Sequence, residues 1–190
     1  MSPVNQVRAS LLALGLVAIS SYPLIRAAST ATPRVSRISV AAMEDSIDDK
    51  VARIQIDDPY QMVGGTRGMY INGYGVVFTS ELDLVANNLV SPFRPQVNRE
   101  DLTRLKLKKQ QRIVVLKQNM RKMLMSTAAS LDGVPVNEQV VLGITLHYFP
   151  WEDAAGLPRQ IVMLAQRKLL LEAVNGDPAI LDTGLQVQEY

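Results

Sequence analysis

The stretch that decides the fold is REDLTRLKLKKQQRIVVLKQNMRKMLMSTAASL, at positions 99–131. It contains neither proline nor glycine, and as a helix it would span on the order of 50 Å at 1.5 Å per residue. Asn98, followed by Asp101 three residues later, resembles a helix N-cap with an acidic partner. The apolar residues fall on roughly one third of the helix circumference, so this stripe must pack against other elements. It consists of Leu102, Leu105, Ile113, Leu116, Met120, Met123, Leu124 and Leu131.

Strand patterns lie on both sides of this helix. From Tyr74 to Leu84 apolar and polar residues alternate, which places Glu81 and Asp83 on the solvent-facing side. The runs at 139–149 and 160–165 predict an antiparallel hairpin, followed by a short helix at 167–175 and an edge strand at 185–190. This order predicts an α+β fold in which a small antiparallel or mixed sheet packs against the one long helix.

The region before the first of these strands predicts a helix and a turn. Apolar residues at 43, 47, 51 and 54 share one helical face, so a helix is expected from 40 to 56, with acidic residues on its other positions and Pro59 at its end. The glycines at 64–68 predict a turn before a strand that begins at Met69. Residues 32–68 and 69–190 would thus form one domain.

Residues 1–31 have the organisation of a signal peptide. A short polar start with Arg8 is followed by an apolar stretch at 10–21 and then by small residues, and cleavage is expected after Ala31, with Ala28 as the second choice. An uncleaved membrane anchor is the alternative, but the apolar run is too short to span a bilayer, and extending it to Ile25 would include Pro23. We therefore expect an exported protein, periplasmic or extracellular, that is not transmembrane after cleavage.

Charge is distributed unevenly along the chain. The formal net charge is +2, from 20 basic and 18 acidic residues, and the predicted leader holds Arg8 and Arg26 but no acid. The mature chain would therefore be neutral, although 99–131 carries nine basic residues against two acidic ones, a net +7. The basic residues are Arg99, Arg104, Lys106, Lys108, Lys109, Arg112, Lys117, Arg121 and Lys122.

Two interpretations of this basic helix are open. Its charges can be balanced by the acidic first helix, or they can bind a polyanion or an anionic membrane surface. The second interpretation makes Arg104, Lys108, Lys109 and Arg112 candidate binding residues. Tyr, Phe and Trp are absent from 99–131, so the stacking platforms that single-stranded nucleic acids use are missing and no nucleic-acid partner is expected.

Few residues are suited to catalysis. The chain has no cysteine and one histidine, so an imidazole base would have to be His147, paired with Glu152 or Asp153. A partly exposed strand histidine without a catalytic role is the alternative. No spacing of His147 with carboxylates predicts a metal site, and no motif predicts a cofactor. Trp151, in the same acidic loop, is a candidate contact residue.

Three segments are similar to those of uncharacterised exported bacterial proteins: GYGVVF at 73–78, SPFRP at 91–95 and WEDAAGLPRQIVM at 151–163. The resemblance implies a domain over most of the mature chain and brings no activity or cofactor with it. Our first hypothesis is an exported, non-catalytic domain that binds or supports another envelope component, a protein or a polymer. The alternatives are a secreted hydrolase that uses His147 as its acid/base, and peripheral polyanion or membrane binding through helix 99–131.

Overall fold

The computed structural model describes residues 35–86 and 98–190, which form five strands, three α-helices and one 3-10 helix. The elements are α1 Arg37–Ala52, β1 Gln61–Ile71, β2 Gly75–Asp83, α2 Arg99–Ser130, β3 Gln139–Leu146, β4 Gln160–Gln166, α3 Arg167–Asn175, a 3-10 helix Pro178–Thr183 and β5 Gln186–Glu189. The predicted α+β class is confirmed. The predicted leader, its cleavage after Ala31 or Ala28, and the segment SPFRP lie outside the described residues.

The five strands form one mixed sheet in the order β1-β2-β3-β4-β5. Only β2 and β3 are parallel neighbours, and the other three pairs are antiparallel. Strands β1 and β2 form a hairpin whose turn contains Gly73 at φ 80°, a conformation that glycine adopts without steric cost. Parallel neighbours need a long crossover, and α2 lies in the connection between β2 and β3.

Helix α2 forms as its sequence predicts. The Asn98 side chain caps its first turn by accepting a hydrogen bond from the Asp101 N–H at 2.7 Å. The predicted apolar stripe is buried except for Leu102, which is half-buried. Beyond its C-terminus, the buried Arg167 side chain donates to the Ala128 and Val134 carbonyl oxygens at 2.9 Å each. The stripe is buried along α2, and the Arg167 contacts hold the C-terminal end of the helix.

Helix α1 is shifted relative to its prediction. It begins at Arg37, where Ser36 accepts from the Ser39 N–H, and it ends at Ala52, before the predicted end at 56. The chain then turns through Gln55 at φ 54°, and Arg112 of α2 donates to the Asp58 carbonyl oxygen at 2.6 Å. The four apolar positions that predicted the helix, 43, 47, 51 and 54, are all buried.

The glycines at 64–68 form part of strand β1 and not a turn. A Cβ atom at Gly68 would lie 2.6 Å from a ring carbon of Phe78 and 2.7 Å from a methyl carbon of Val40. Glycine at this position therefore allows α1 to approach the sheet closely. Composition alone does not distinguish such a glycine, within a strand, from a glycine in a turn.

Acidic residues of α1 cover part of the outer edge of β1. Glu44 accepts from the Gly68 N–H at 2.6 Å, and Asp48 accepts from the Thr66 N–H at 2.9 Å. Arg37 forms a two-point ion pair with Glu44, at 2.7 and 2.8 Å. An exposed strand edge is a template for unwanted pairing, and α1 blocks it here with side-chain acceptors.

Candidate functional site

The two faces of the sheet have different surroundings. Phe78, Leu142 and Met163 point toward the helices and are at most 1% exposed. Residues on all three α-helices belong to the same buried cluster as these strand residues. The alternate strand positions point away from it, and Thr79 and Thr145 there are exposed. The helices therefore pack on one face, the covered face, and in the described part of the chain no helix packs on the other, the open face.

An apolar row crosses the open face. Strand register places Met69 beside Val77, Val77 beside Val141 and Val141 beside Leu164. Side chains in register lie on the same side of a sheet and contact one another. Met69 is 58% exposed, Val77 and Leu164 are half-buried, and only Val141 is buried. The open face therefore has a row of apolar side chains across four strands, and three of the four are accessible to solvent.

Three aromatic rings continue from one end of this face. The His147 ring lies edge-on to Phe149 at 5.0 Å between centroids, and Phe149 stacks on Trp151 at 5.4 Å. His147 is anchored in the sheet because its backbone N–H donates to the Leu82 carbonyl oxygen at 2.7 Å. Its Nδ1 lies 3.5 Å from a carboxylate oxygen of Glu81, on the neighbouring parallel strand. These rings, His147, Phe149 and Trp151, are named the aromatic column.

A buried ion cluster lies behind the aromatic column. Lys109 of α2 forms ion pairs with Asp83 at 2.9 Å and with Glu152 at 2.6 Å, and these three side chains are 1%, 3% and 3% exposed. Lys109 also donates to the His147 carbonyl oxygen at 3.3 Å and lies 4.8 Å from the centre of the Tyr148 ring. Desolvating three charges is costly, so such a cluster specifies one arrangement better than it adds stability.

The loop of the aromatic column is fixed by the same cluster and by Tyr148. Burial raises the pKa of Tyr148 to about 12, and its hydroxyl donates to the Pro158 carbonyl oxygen at 2.9 Å. Oε1 of Glu152 is buried without a hydrogen-bond partner among the described residues, while Oε2 binds Lys109. Tyr148 and Glu152 therefore hold the segment that contains Phe149 and Trp151 at both of its ends, and His147 is held by its own backbone hydrogen bond to Leu82.

The expected solvent-facing position of Asp83 was wrong. Alternation placed Asp83 with Glu81 on the wet side of β2, yet Asp83 is 2% exposed whereas the Glu81 side chain is 45% exposed. The reason is tertiary: Lys109 approaches from α2 at the end of the strand, and its ammonium group compensates the buried carboxylate. Local alternation contains no information about that partner.

The basic candidates on α2 are all paired with acids. Lys108 contacts Asp58 at 2.5 Å and Arg104 contacts Glu100 at 2.8 Å. Lys109 and Arg112 lie in the interior, where Arg112 donates to the Leu84 carbonyl oxygen and forms an ion pair with Asp58. Three further cations of α2 pair with acids outside the helix: Lys106 pairs with Asp153, Lys117 with Glu189 and Arg121 with Asp182, at 2.7 to 2.8 Å.

The candidate catalytic residues are not brought together. Glu152 is held by Lys109, and Asp153 by Lys106, whose hydrogen bond lowers the pKa of that carboxyl. The carboxylate beside His147 is that of Glu81, with both side chains partly exposed. A serine that could act as nucleophile, Ser80, is buried and hydrogen-bonded to Thr66 at 2.6 Å. A second, Ser91, lies outside the described residues.

Within residues 35–86 and 98–190, no group of three or more His, Asp or Glu side chains is placed to hold a metal ion. No helix in the same residues is both long enough and apolar enough to cross a membrane. Comparisons with protein-family models, with curated proteins and with solved structures give no match for this chain. The case for a function therefore depends on the open face and the aromatic column alone.

Proposed function

We propose that this chain is an exported, non-catalytic domain that binds another component of the cell envelope through the open face and the aromatic column. The observation that carries the proposal is the apolar row from Met69 to Leu164, in which Met69 is exposed and Val77 and Leu164 are half-buried, while the other face of β2, β3 and β4 is buried beneath the helices. Accessible apolar surface with a polar surround is typical of interaction sites. Export is proposed from the leader-like residues 1–31.

The aromatic column supports this choice of surface. Aromatic residues are over-represented among the residues that dominate binding energy, because a rigid ring loses little conformational entropy on binding. Here the rings are already ordered by Lys109 and by the Tyr148 to Pro158 hydrogen bond. A preorganised surface leaves more of the contact energy available for affinity. The arrangement thus favours binding over acid/base chemistry at His147.

Site-specific photo-crosslinking in the producing cell tests the proposal. A photoreactive amino acid is placed at Thr79 or Thr145 on the open face, and at Gln110 or Gln118 on the exposed side of α2 as matched controls. We expect one discrete adduct from both open-face positions and none from the controls. Equal labelling at all four positions, or adducts from α2 alone, would reject the open face as the binding surface. Protease treatment of the adduct distinguishes a protein partner from a polymer.

Export is tested separately by fractionation and mass spectrometry of the intact chain. The expected mature protein begins at Thr32, or at Ser29 for the second cleavage site, and is found outside the cytoplasm. A chain that retains Met1 in the cytoplasmic fraction would contradict export. The crosslinking result does not depend on this outcome, because the strands that form the open face begin at residue 61, after the leader-like residues 1–31 in the sequence.

A further inference from the structure

A cleft between α1 and α2 has the charge and shape of a ligand site unrelated to the open face. Its volume is about 350 Å³, and it is lined by Lys50, Arg53, Ile54, Asn119, Lys122, Met123 and Ser126. The α2 residues, at 119, 122, 123 and 126, share one helical side, while residues 50, 53 and 54 come from the end of α1 and the turn after it. This volume lies within the range of small-molecule sites.

The floor of the cleft is apolar and its rim is basic. Ile54 and Met123 are 6% and 2% exposed and belong to the hydrophobic core, so the packing of the core holds these two side chains at the floor of the cleft. Lys50, Arg53 and Lys122 surround it with three cationic groups. An apolar floor with convergent charged groups at its rim selects ligands that have an apolar body and an oppositely charged head.

These cations differ from the others near α2 because acids do not neutralise them closely. Among the described residues Lys122 has no ion-pair partner. The Lys50 ammonium group donates to the Ser46 hydroxyl at 2.8 Å, and burial lowers the pKa of Lys50. Arg53 lies 3.8 Å from an exposed carboxylate of Asp49. Lys106, Lys117 and Arg121 of α2 all have acidic partners within 2.8 Å. Among the described residues, the α2 cations without an ion-pair partner are therefore Lys122, which lines the cleft, and Arg99.

We infer that this cleft binds a single-chain aliphatic acid, with the anionic head between Lys50 and Lys122 and the chain over Ile54 and Met123. A short anion without a chain lacks the apolar contact, and an alcohol of the same length lacks the charge. Both parts of the ligand are required, because the rim is exposed to water and a single surface ion pair contributes little. The inference is independent of the proposed function of the open face.

Isothermal titration calorimetry of the purified full chain with decanoate, 1-decanol and acetate tests the inference. We expect decanoate to bind at one site, with the other two probes at least about tenfold weaker. The double variant Lys50→Gln/Lys122→Gln should weaken decanoate binding by roughly tenfold or more. The matched variant Lys117→Gln/Lys168→Gln removes the same charge from the half-buried Lys117 and the exposed Lys168, neither of which lines the cleft, and should change the affinity by less than about twofold.

Three results would overturn the inference. Decanol binding as tightly as decanoate would indicate apolar adsorption, and an equal loss in both double variants would indicate an effect of net charge. Absence of decanoate binding at millimolar concentration to a folded wild-type chain would exclude the site. Circular dichroism and thermal unfolding of both variants show that they are folded, so loss of binding in the cleft variant cannot be attributed to unfolding.

Discussion

The two faces of the sheet are built from the same strands and in the same register, yet their burial differs sharply. On the covered face, Leu142 and Met163 are 1% exposed beneath the helices, whereas on the open face Met69 is 58% exposed and Leu164 is half-buried. Apolar burial is the main source of folding stability. The covered face should therefore determine stability, and the open face is free to serve binding.

The largest loss of stability is expected at the buried ion cluster of Lys109, Asp83 and Glu152. Lys109→Met leaves Asp83 and Glu152 buried without a cation, so the free energy of unfolding should fall by about 4 kcal/mol. Lys106→Met is the control, because its partner Asp153 is exposed, and it should cost at most about 1 kcal/mol. Urea unfolding measures both. Similar values for the two variants would mean that the cluster does not hold the aromatic column.

The covered face is tested by truncation in the core. Leu142→Ala removes buried methyl groups and leaves a cavity, so the free energy of unfolding should fall by about 3 kcal/mol. Val162→Ala, on the open face of the next strand, should cost less than about 1 kcal/mol, because Val162 is half-buried. Chemical denaturation of both proteins provides the comparison. A larger loss at Val162 would show that the open face is packed.

A smaller, pH-dependent effect is expected at the sheet edge that α1 covers. The Arg37 guanidinium lowers the pKa of Glu44, so ionised Glu44 stabilises the folded chain. That contribution is complete above the ordinary carboxyl pKa of about 4.3 and is lost as the pH falls through the lowered folded value. Between about pH 6 and about pH 2, Glu44→Gln should therefore lose less stability than wild type.

Denaturation midpoints across this pH range measure the Glu44 effect. Glu100→Gln is the matched control, since the Glu100 side chain is 77% exposed and pairs only along the surface of α2. Its pH profile should follow that of wild type. If Glu44→Gln also followed wild type, the ion pair with Arg37 would not contribute to the stability of this edge.

Much of the helical structure was predictable because its signal is local. The spacing of Leu105, Leu116 and Met120 predicts the buried side of α2, and Asn98 marks its start. The same spacing could have identified Lys109 and Arg112 as buried, because they lie four and seven positions after Leu105, on the apolar stripe. Classifying them by charge alone placed them on the surface.

Strand pairing and the candidate site depend on contacts that are distant in sequence. The dipeptide at Asn72 and Gly73 is a hairpin signal, but the glycines at 64–68 concealed β1. Gly68 is required there because α1 approaches the strand closely, and local sequence does not show this. The parallel pairing of β2 and β3 brings Glu81 close to His147, and no local sequence pattern predicts this pairing. Likewise, periodicity predicts that each helix has a buried side, but it does not predict that all three helices pack against the same face of the sheet.

The most direct test of the central claim compares folding and crosslinking in one open-face variant. Met69→Gln/Leu164→Gln makes the apolar row polar at two accessible positions. If the open face serves binding, the double variant should keep its free energy of unfolding within about 1 kcal/mol of wild type and lose the adduct formed from Thr145. An unfolded variant, or a folded variant with an undiminished adduct, would contradict the account.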